Sequence, residues 1–346
     1  MKSKNDIRNI NLNKLEEFCI THNLPKFRSL QIWEWLWKKR AVSFEEMTSL
    51  SKDIRKLLAI NFSINPVLIH KKETSLDGTV KYSLKLHDLS LIEGVLIPSK
   101  KRITACISSQ VGCSLSCNFC ATGTLKLERN LTSAEIYDQA FILNQQSVLI
   151  FGKPLSNIVF MGMGEPLLNY KNLLKGIDLI TNKNGLGMSN KRITVSTAGI
   201  AKMIKQLGDD SVRFNLAISL HSADKVKRTD LMPINQKINL TELRESIVYF
   251  YNKTGTRITY EYILFKDKND SLDDAAKLAE FAKITPCKIN LIEYNKVDSL
   301  PYKKSTSINT EKFINYLQEK NIITNLRKSR GKDIDAACGQ LVNKLK

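Results

Sequence analysis

The sequence predicts an α/β protein: a partial (β/α)6 barrel preceded by a small helical N-terminal domain and a β-hairpin linker unit. Two observations carry the barrel. From about residue 103 onward, short Val-, Ile- and Thr-rich runs alternate with segments of helical length and periodicity, and each parallel crossover between such strands requires a helix. The loops bearing Cys, Gly, Ser, His and Asn follow the C-terminal ends of those strands, the rim on which such barrels display their chemistry. A third observation sets off the N-terminal part, where the pattern is first helical and then alternating.

Residues 1–65 form the helical domain. Leu15, Phe18, Cys19 and Ile20 pattern one helix, 30–37 a second and 54–60 a third. Trp33 and Trp37 lie four apart on one helical face and belong to the core, whereas Trp35 points elsewhere and is open to a partner. Residues 66–100 form the linker, with a turn at Asp77-Gly78 between strands at 68–70 and 82–86, and a further strand at 92–97. Residues 101–346 form the barrel. Its strands are expected at 103–108, 157–161, 192–196, 213–219, 257–263 and 288–294, with helices at 133–144, 173–180, 200–207, 240–251 and 272–281.

Length and composition narrow the function. A chain of 346 residues buries a full α/β core with room for a small extra domain. The charged start, Met1-Lys-Ser-Lys, has no apolar stretch behind it, and no run reaches membrane-spanning length, so a cytoplasmic protein is expected. Seven cysteines, an odd number in a long chain without a leader, point to reduced thiols. Lys and Arg number 53 against 34 Asp and Glu, a formal charge of +19, which favours a polyanionic partner such as nucleic acid. The bland alternative is a lysine-rich composition with solvated clusters at Lys100-Lys101-Arg102, Lys225-Val-Lys227-Arg228 and Arg327-Lys-Ser-Arg330-Gly-Lys332.

The sharpest signal is Val111-Gly-Cys-Ser-Leu-Ser-Cys-Asn-Phe-Cys-Ala-Thr-Gly123. Its C-x3-C-x2-C spacing delivers Cys113, Cys117 and Cys120 to three corners of an iron–sulfur cube and leaves one iron open. S-adenosylmethionine (SAM) fits that vacancy, chelating through its amino and carboxylate groups. A zinc site needs a further pair of ligands, but Cys19, Cys106, Cys287 and Cys338 are isolated and only four histidines exist. Gly162-Met-Gly-Glu-Pro166, after the second strand, is a cradle for the methionine end of SAM.

That run, together with Phe160-Met-Gly-Met-Gly-Glu-Pro-Leu-Leu-Asn169, Ser219-Leu-His221, Leu231-Met-Pro-Ile-Asn235 and Asp333-Ile-Asp-Ala-Ala-Cys-Gly-Gln-Leu341, resembles the RlmN family. These are radical-SAM methyltransferases that methylate C2 of adenine in 23S rRNA and certain tRNAs. The resemblance runs from about residue 28 to 341. It implies a radical-SAM barrel, a [4Fe-4S] cluster on Cys113, Cys117 and Cys120, and two SAM molecules per turnover, one as methyl donor and one as radical source.

C2 of adenine is neither acidic nor nucleophilic, so direct displacement on SAM is closed to it and a carbon radical is needed. By the resemblance, Cys338 is methylated, loses a hydrogen to a 5′-deoxyadenosyl radical and adds to C2. Cys106 then releases the base by forming a transient disulfide with Cys338, and Glu93 accepts the C2 proton. Gly164 and Glu165 lie near the SAM amino group, and Ser196, Ser219, Leu220, His221 and Asn295 around its ribose, carboxylate and adenine. The stretch Leu291-Ile-Glu-Tyr-Asn-Lys-Val297 lacks the prolines that the family often carries there. RNA contacts are expected through the N-terminal helices, the β unit and the basic rim, the resemblance implies a flavodoxin reductant, and nothing in the sequence requires more than a monomer. Rival readings are the related C8-adenine methyltransferase, disfavoured by Pro166, an iron–sulfur electron carrier, and a radical-SAM activase of a protein.

Overall fold

The computed structural model describes residues 4–297 and 300–342. Ten strands form one mixed sheet: β1 (Leu68–Thr74), β2 (Val80–Lys85), β3 (Leu91–Pro98), β4 (Ile103–Cys106), β7 (Asn157–Phe160), β8 (Ile193–Thr197), β9 (Asn215–Ser219), β10 (Ile258–Leu264), β11 (Cys287–Glu293) and β12 (Thr324–Arg327), adjacent in that order. The two-residue strands β5 (Gln110–Val111) and β6 (Arg129–Asn130) pair separately as a ribbon. From β4 to β12 every pairing in the main sheet is parallel. Because spatial order follows chain order, right-handed crossovers put the helices on one side and leave the other face as the barrel interior.

The crossovers are α4 (Ser133–Phe151), α5 (Tyr170–Thr181), α6 (Ala201–Asp209), α7 (Lys225–Leu231) with α8 (Leu240–Thr254), α9 (Leu272–Ala282) and α10 (Ser307–Glu319). Sequence signals fix their ends. Thr132 and Glu135 form a reciprocal capping box at the start of α4, and Gly152 in the left-handed region ends it. That helix runs seven residues beyond the expected 144, because Val148, Leu149 and Ile150 continue the helix while lying partly exposed.

Three helices, α1 (Leu12–Thr21), α2 (Phe27–Trp37) and α3 (Lys52–Asn61), make the N-terminal unit. Trp33 and Trp37 pack with ring centroids 5.6 Å apart, and Trp37 is buried. Trp35 instead donates its Nε1–H to Ser49 Oγ at 2.7 Å and lies under Lys39. A buried charge network ties this unit to the barrel. Asp138 of α4 accepts from Arg8 at 2.8 Å, Arg40 at 3.0 Å and the Val67 N–H at 2.9 Å.

Three differences from the expected layout bear on the site. The linker strands β1–β3 extend the barrel sheet, since β3 pairs antiparallel with β4. A seventh parallel strand, β12, follows β11. The third basic cluster begins on that strand, and Arg327 turns inward to Glu261 at 3.4 Å. Arg228, expected on a solvated face, is 1% exposed and donates to the carbonyls of Leu220 and Ala198 and to Asn235 Oδ1.

Candidate active site

The cysteine loop is built by its neighbours. The β5–β6 ribbon closes its base, Asn118 donates its N–H to the Leu231 carbonyl at 3.0 Å, and Ala121 donates to the Gly339 carbonyl at 2.7 Å. Cys113, Cys117 and Cys120 rim one cavity at the C-terminal ends of the barrel strands. Among the described residues no three His, Cys, Asp or Glu side chains gather around a single-ion point. Three thiols spread around a cavity rim suit a cluster whose irons occupy separate corners. Burial pushes Cys113 up to about 11 and raises Cys117 and Cys120 as well, with Cys120 adding to the rise at Cys113 and Cys117, and Cys338 adding to it at Cys120. Bound iron supplies the positive charge that makes such thiols ligate as thiolates.

The same cavity is lined by Gly164, Glu165, Ser196, Ser219, His221 and Cys338. Gly164 has φ +92, and a Cβ there would sit 2.5 Å from Gln110 Cβ, so only glycine lets this loop lie against β5. The Glu165 carboxylate accepts from Leu167 N–H at 3.0 Å and Ala198 N–H at 2.8 Å, joining the loops after β7 and β8. Ser196 and Ser219 hydroxyls lie 3.2 Å apart. Nδ1 of His221 accepts from the Ile263 N–H at 3.1 Å, and burial pushes the ring down to about 3. The imidazole is therefore neutral with its proton on Nε2.

Two residues expected around SAM are placed differently. Leu220 is fully buried behind the cavity, with its N–H on the Glu261 carbonyl. Asn295 does not line the cavity; its Nδ2 donates to the Cys338 carbonyl at 3.2 Å, so it acts on the tail that carries the cysteine.

That tail, 329–342, is fastened at three places. Asp333 accepts from Ser75 Oγ at 2.5 Å and Leu76 N–H at 3.1 Å, and Gly331 N–H donates to Asp77 at 3.0 Å, so the hairpin turn receives the start of the segment. Thr122 donates to the Leu341 carbonyl at 2.6 Å, and Gln340 to the Lys296 carbonyl at 2.9 Å. Cys338 is thereby held at a junction: it lines the cluster cavity and also a second, smaller cavity with Cys106, Arg327, Lys328 and Arg330. Burial pushes Cys106 up to about 12, with Cys338 adding to the rise and Arg327 opposing it. All seven cysteines are free thiols, the reduced state from which a transient Cys106–Cys338 disulfide would form.

Sheet register accounts for Glu93. Val95 lies opposite Cys106, so Glu93 shares the face of Cys106 one diagonal away, roughly 7–8 Å along such a ladder. The carboxyl is 5% exposed and is raised to about 7, chiefly by burial, with Lys81 working against the rise. Two charged residues escaped the sequence reading. Glu261 lies in a wholly buried strand and lines the cluster cavity, while Arg327 sits in a run that reads as surface charge.

A family model described as the ribosomal RNA large subunit methyltransferase N-terminal domain matches residues 5–64, and the Radical SAM superfamily model matches 107–281. The probable dual-specificity RNA methyltransferase RlmN of Cytophaga hutchinsonii is 54% identical over 341 residues, covering 99% of this chain and 93% of its own. The chain belongs to the RlmN family. The RlmN of Geotalea uraniireducens is 42% identical over 342 residues, covering 99% of this chain and 98% of its own. A crystal structure of a radical SAM methyltransferase from Sphaerobacter thermophilus superposes with a TM-score of 0.91 at 35% identity, covering 97% of this chain and 99% of that one. RlmN membership brings a [4Fe-4S] cluster and SAM as cofactors, and the cysteine-rimmed cavity offers thiols for the first beside polar side chains for the second.

Proposed function

We propose that this chain is a SAM-dependent RNA methyltransferase that methylates C2 of adenosine in 23S rRNA and in some tRNAs, through a cysteine-linked intermediate. The observation that carries this reading is the position of Cys338 between the cysteine-rimmed cavity and the cavity that holds Cys106. Cys113, Cys117 and Cys120 would hold the cluster, which with SAM would supply the carbon radical, in the cavity that Cys338 also lines. Gly164, Glu165, Ser196, Ser219 and His221 bind and orient SAM, Leu220 supports them from behind, and Asn295 steadies the backbone of Cys338.

Cys338 carries the methyl carbon and bonds it to C2, giving a covalent RNA–protein adduct. Glu93, a carboxyl raised to about 7 by burial, accepts the C2 proton as the adduct radical gives up one electron, for which the oxidised cluster would be the acceptor, so that the closed-shell purine ring is restored. Cys106 then attacks the Cys338 sulfur; the sulfur–carbon bond breaks, a disulfide forms, and the electron pair left on carbon takes up a proton. Burial raises the Cys106 thiol to about 12, and the Arg327 guanidinium is the nearby cation that opposes that rise. The basic wall of Arg327, Lys328 and Arg330 faces the RNA backbone, and the target adenine enters unstacked. The enzyme works as a cytoplasmic monomer with a flavodoxin-type reductant; no helix among the described residues is long and apolar enough to cross a membrane.

Two substitutions test the scheme in cluster-loaded protein. Cys338→Ala abolishes methylation, and Cys106→Ala accumulates the RNA adduct on a denaturing gel. Release of methylated RNA at the normal rate by the Cys106 variant rules it out. Mass-spectrometric mapping of the methylated carbon separates C2 from C8.

A further inference from the structure

The register of the antiparallel strands aligns more than Glu93 with Cys106. Glu73 lies opposite Lys81, Lys81 opposite Val95, and Val95 opposite Cys106. Opposed residues share a face, so these four form one row across β1–β4, and Ser83 opposite Glu93 forms the adjoining row on the same face. The other face of β3 packs on α4, where a Cβ at Gly94 would meet Leu143 at 3.2 Å.

Lys81 is only 8% exposed. Lysine almost never occupies such a place unpaired, since its flexible stem ordinarily carries the charge to water. Here the ammonium lies 3.3 Å from Glu73 and 3.8 Å from Glu93. The charged groups acting on Glu93 are Lys81 on β2, Glu73 on β1 and Asp335 in the C-terminal segment, with the Val342 backbone amide beside them; Lys81 is the cation of that set. Among the described residues Glu93 Oε2 has no hydrogen-bond partner, and neither have the buried hydroxyls of Thr79 and Ser83. One carboxylate oxygen is thus paired with an ammonium and the other is left open. A cross-strand pair serving the hairpin alone does not account for a buried ammonium shared with a carboxylate inside the barrel.

We propose that Lys81, held between Glu73 and Glu93, is the positioning residue that keeps Glu93 ionised and aimed to take the adenine C2 proton. This rests on the reading of Glu93 as proton acceptor. Removing an opposite charge about 4 Å away raises a carboxyl by roughly 1–3 pH units, whereas removing Glu73, a like charge in the same row, acts in the opposite direction.

The test follows loss of deuterium from C2-deuterated adenosine in an RNA hairpin, measured by mass spectrometry across pH in the Cys106→Ala background, where the adduct persists. With Lys81 intact, loss has a midpoint near 7. In Lys81→Gln the midpoint moves up by about one unit or more, Lys81→Arg restores it, and Glu73→Gln moves it down. An unshifted midpoint in both Lys81→Gln and Glu73→Gln overturns the proposal. The Glu73 variant decides the matter if Lys81→Gln does not fold, since Glu73 lies at the rim of the row with 34% side-chain exposure. Glu93→Gln separates the two readings: retention of deuterium with no shift in the other variants sinks only the role of Lys81, while deuterium loss at the unaltered rate sinks Glu93 as the base and this proposal with it.

Discussion

Gly331→Ala should uncouple radical formation from methyl transfer. Gly331 has φ +66, and a Cβ there would lie 2.8 Å from Ala336 Cβ and 2.9 Å from Thr79 Cγ2. A left-handed conformation costs an L-residue roughly 1–2 kcal/mol, and overpacking against two short, inflexible side chains adds about 1–3 kcal/mol. Gly331 opens the tail: its N–H donates to Asp77, and its carbonyl accepts from Ile334 and Ala336. Relief of the strain therefore means undocking the segment that delivers Cys338. Together these come to about 2 kcal/mol or more, and at about 1.4 kcal/mol per factor of ten the docked-to-undocked ratio falls roughly thirtyfold or more. The assay is a single-turnover ratio of methylated RNA to 5′-deoxyadenosine in anaerobically loaded protein, with iron content as control. The ratio drops by up to about thirtyfold at the lower bound of that cost, and adding Thr79→Ala recovers part of it because one of the two contacts disappears. An unchanged ratio would refute the claim that tail docking positions Cys338.

Three further outcomes follow from groups elsewhere in the molecule. Asp138→Ala leaves Arg8 and Arg40 without their shared carboxylate; breaking a buried pair costs about 3–5 kcal/mol, so calorimetry should show a clearly lowered melting temperature. Glu93 is raised from 4.5 to about 7, so its stabilising contribution is present below pH 4.5 and is lost as pH rises through 7. Glu93→Gln escapes a penalty on the order of 3 kcal/mol at pH 8 and melts above the parent there, with the difference vanishing near pH 4; equal melting at both pH values contradicts the assignment. With a formal charge of +19, RNA affinity should fall steeply as salt rises from 50 to about 200 mM, and filter binding that shows no slope counts against a phosphate-contacting basic wall.

The cysteine loop and the parallel core strands were legible because their signals are local: a fixed spacing, and short apolar runs closed by functional loops. Strand β12 was not, since Thr324-Asn-Leu-Arg327 is a polar, partly exposed edge whose partner lies more than thirty residues away. Arg228 and Arg327 read as surface charge because sequence carries no burial term for a long cation; their partners, Asn235 and Glu261, are set by the fold. Glu261 left one trace, a lone carboxylate in the otherwise uncharged run Ile258-Thr-Tyr-Glu-Tyr-Ile-Leu264. The motif ending in Gln340 and Leu341 signalled Cys338, yet the work of Asp333 in fastening the tail to Ser75 and Leu76 spans 257 positions or more and becomes visible only in three dimensions.

The central claim is that the sulfur of Cys338 carries the transferred carbon. Cys106→Ala protein given carbon-13 methyl-labelled SAM and an RNA hairpin, then digested with protease and nuclease, reports it in a single mass spectrum. The account predicts a nucleotide joined through one labelled carbon to the tail peptide at Cys338. Labelled methyladenosine in the RNA, with no labelled carbon ever found on Cys338, would contradict it.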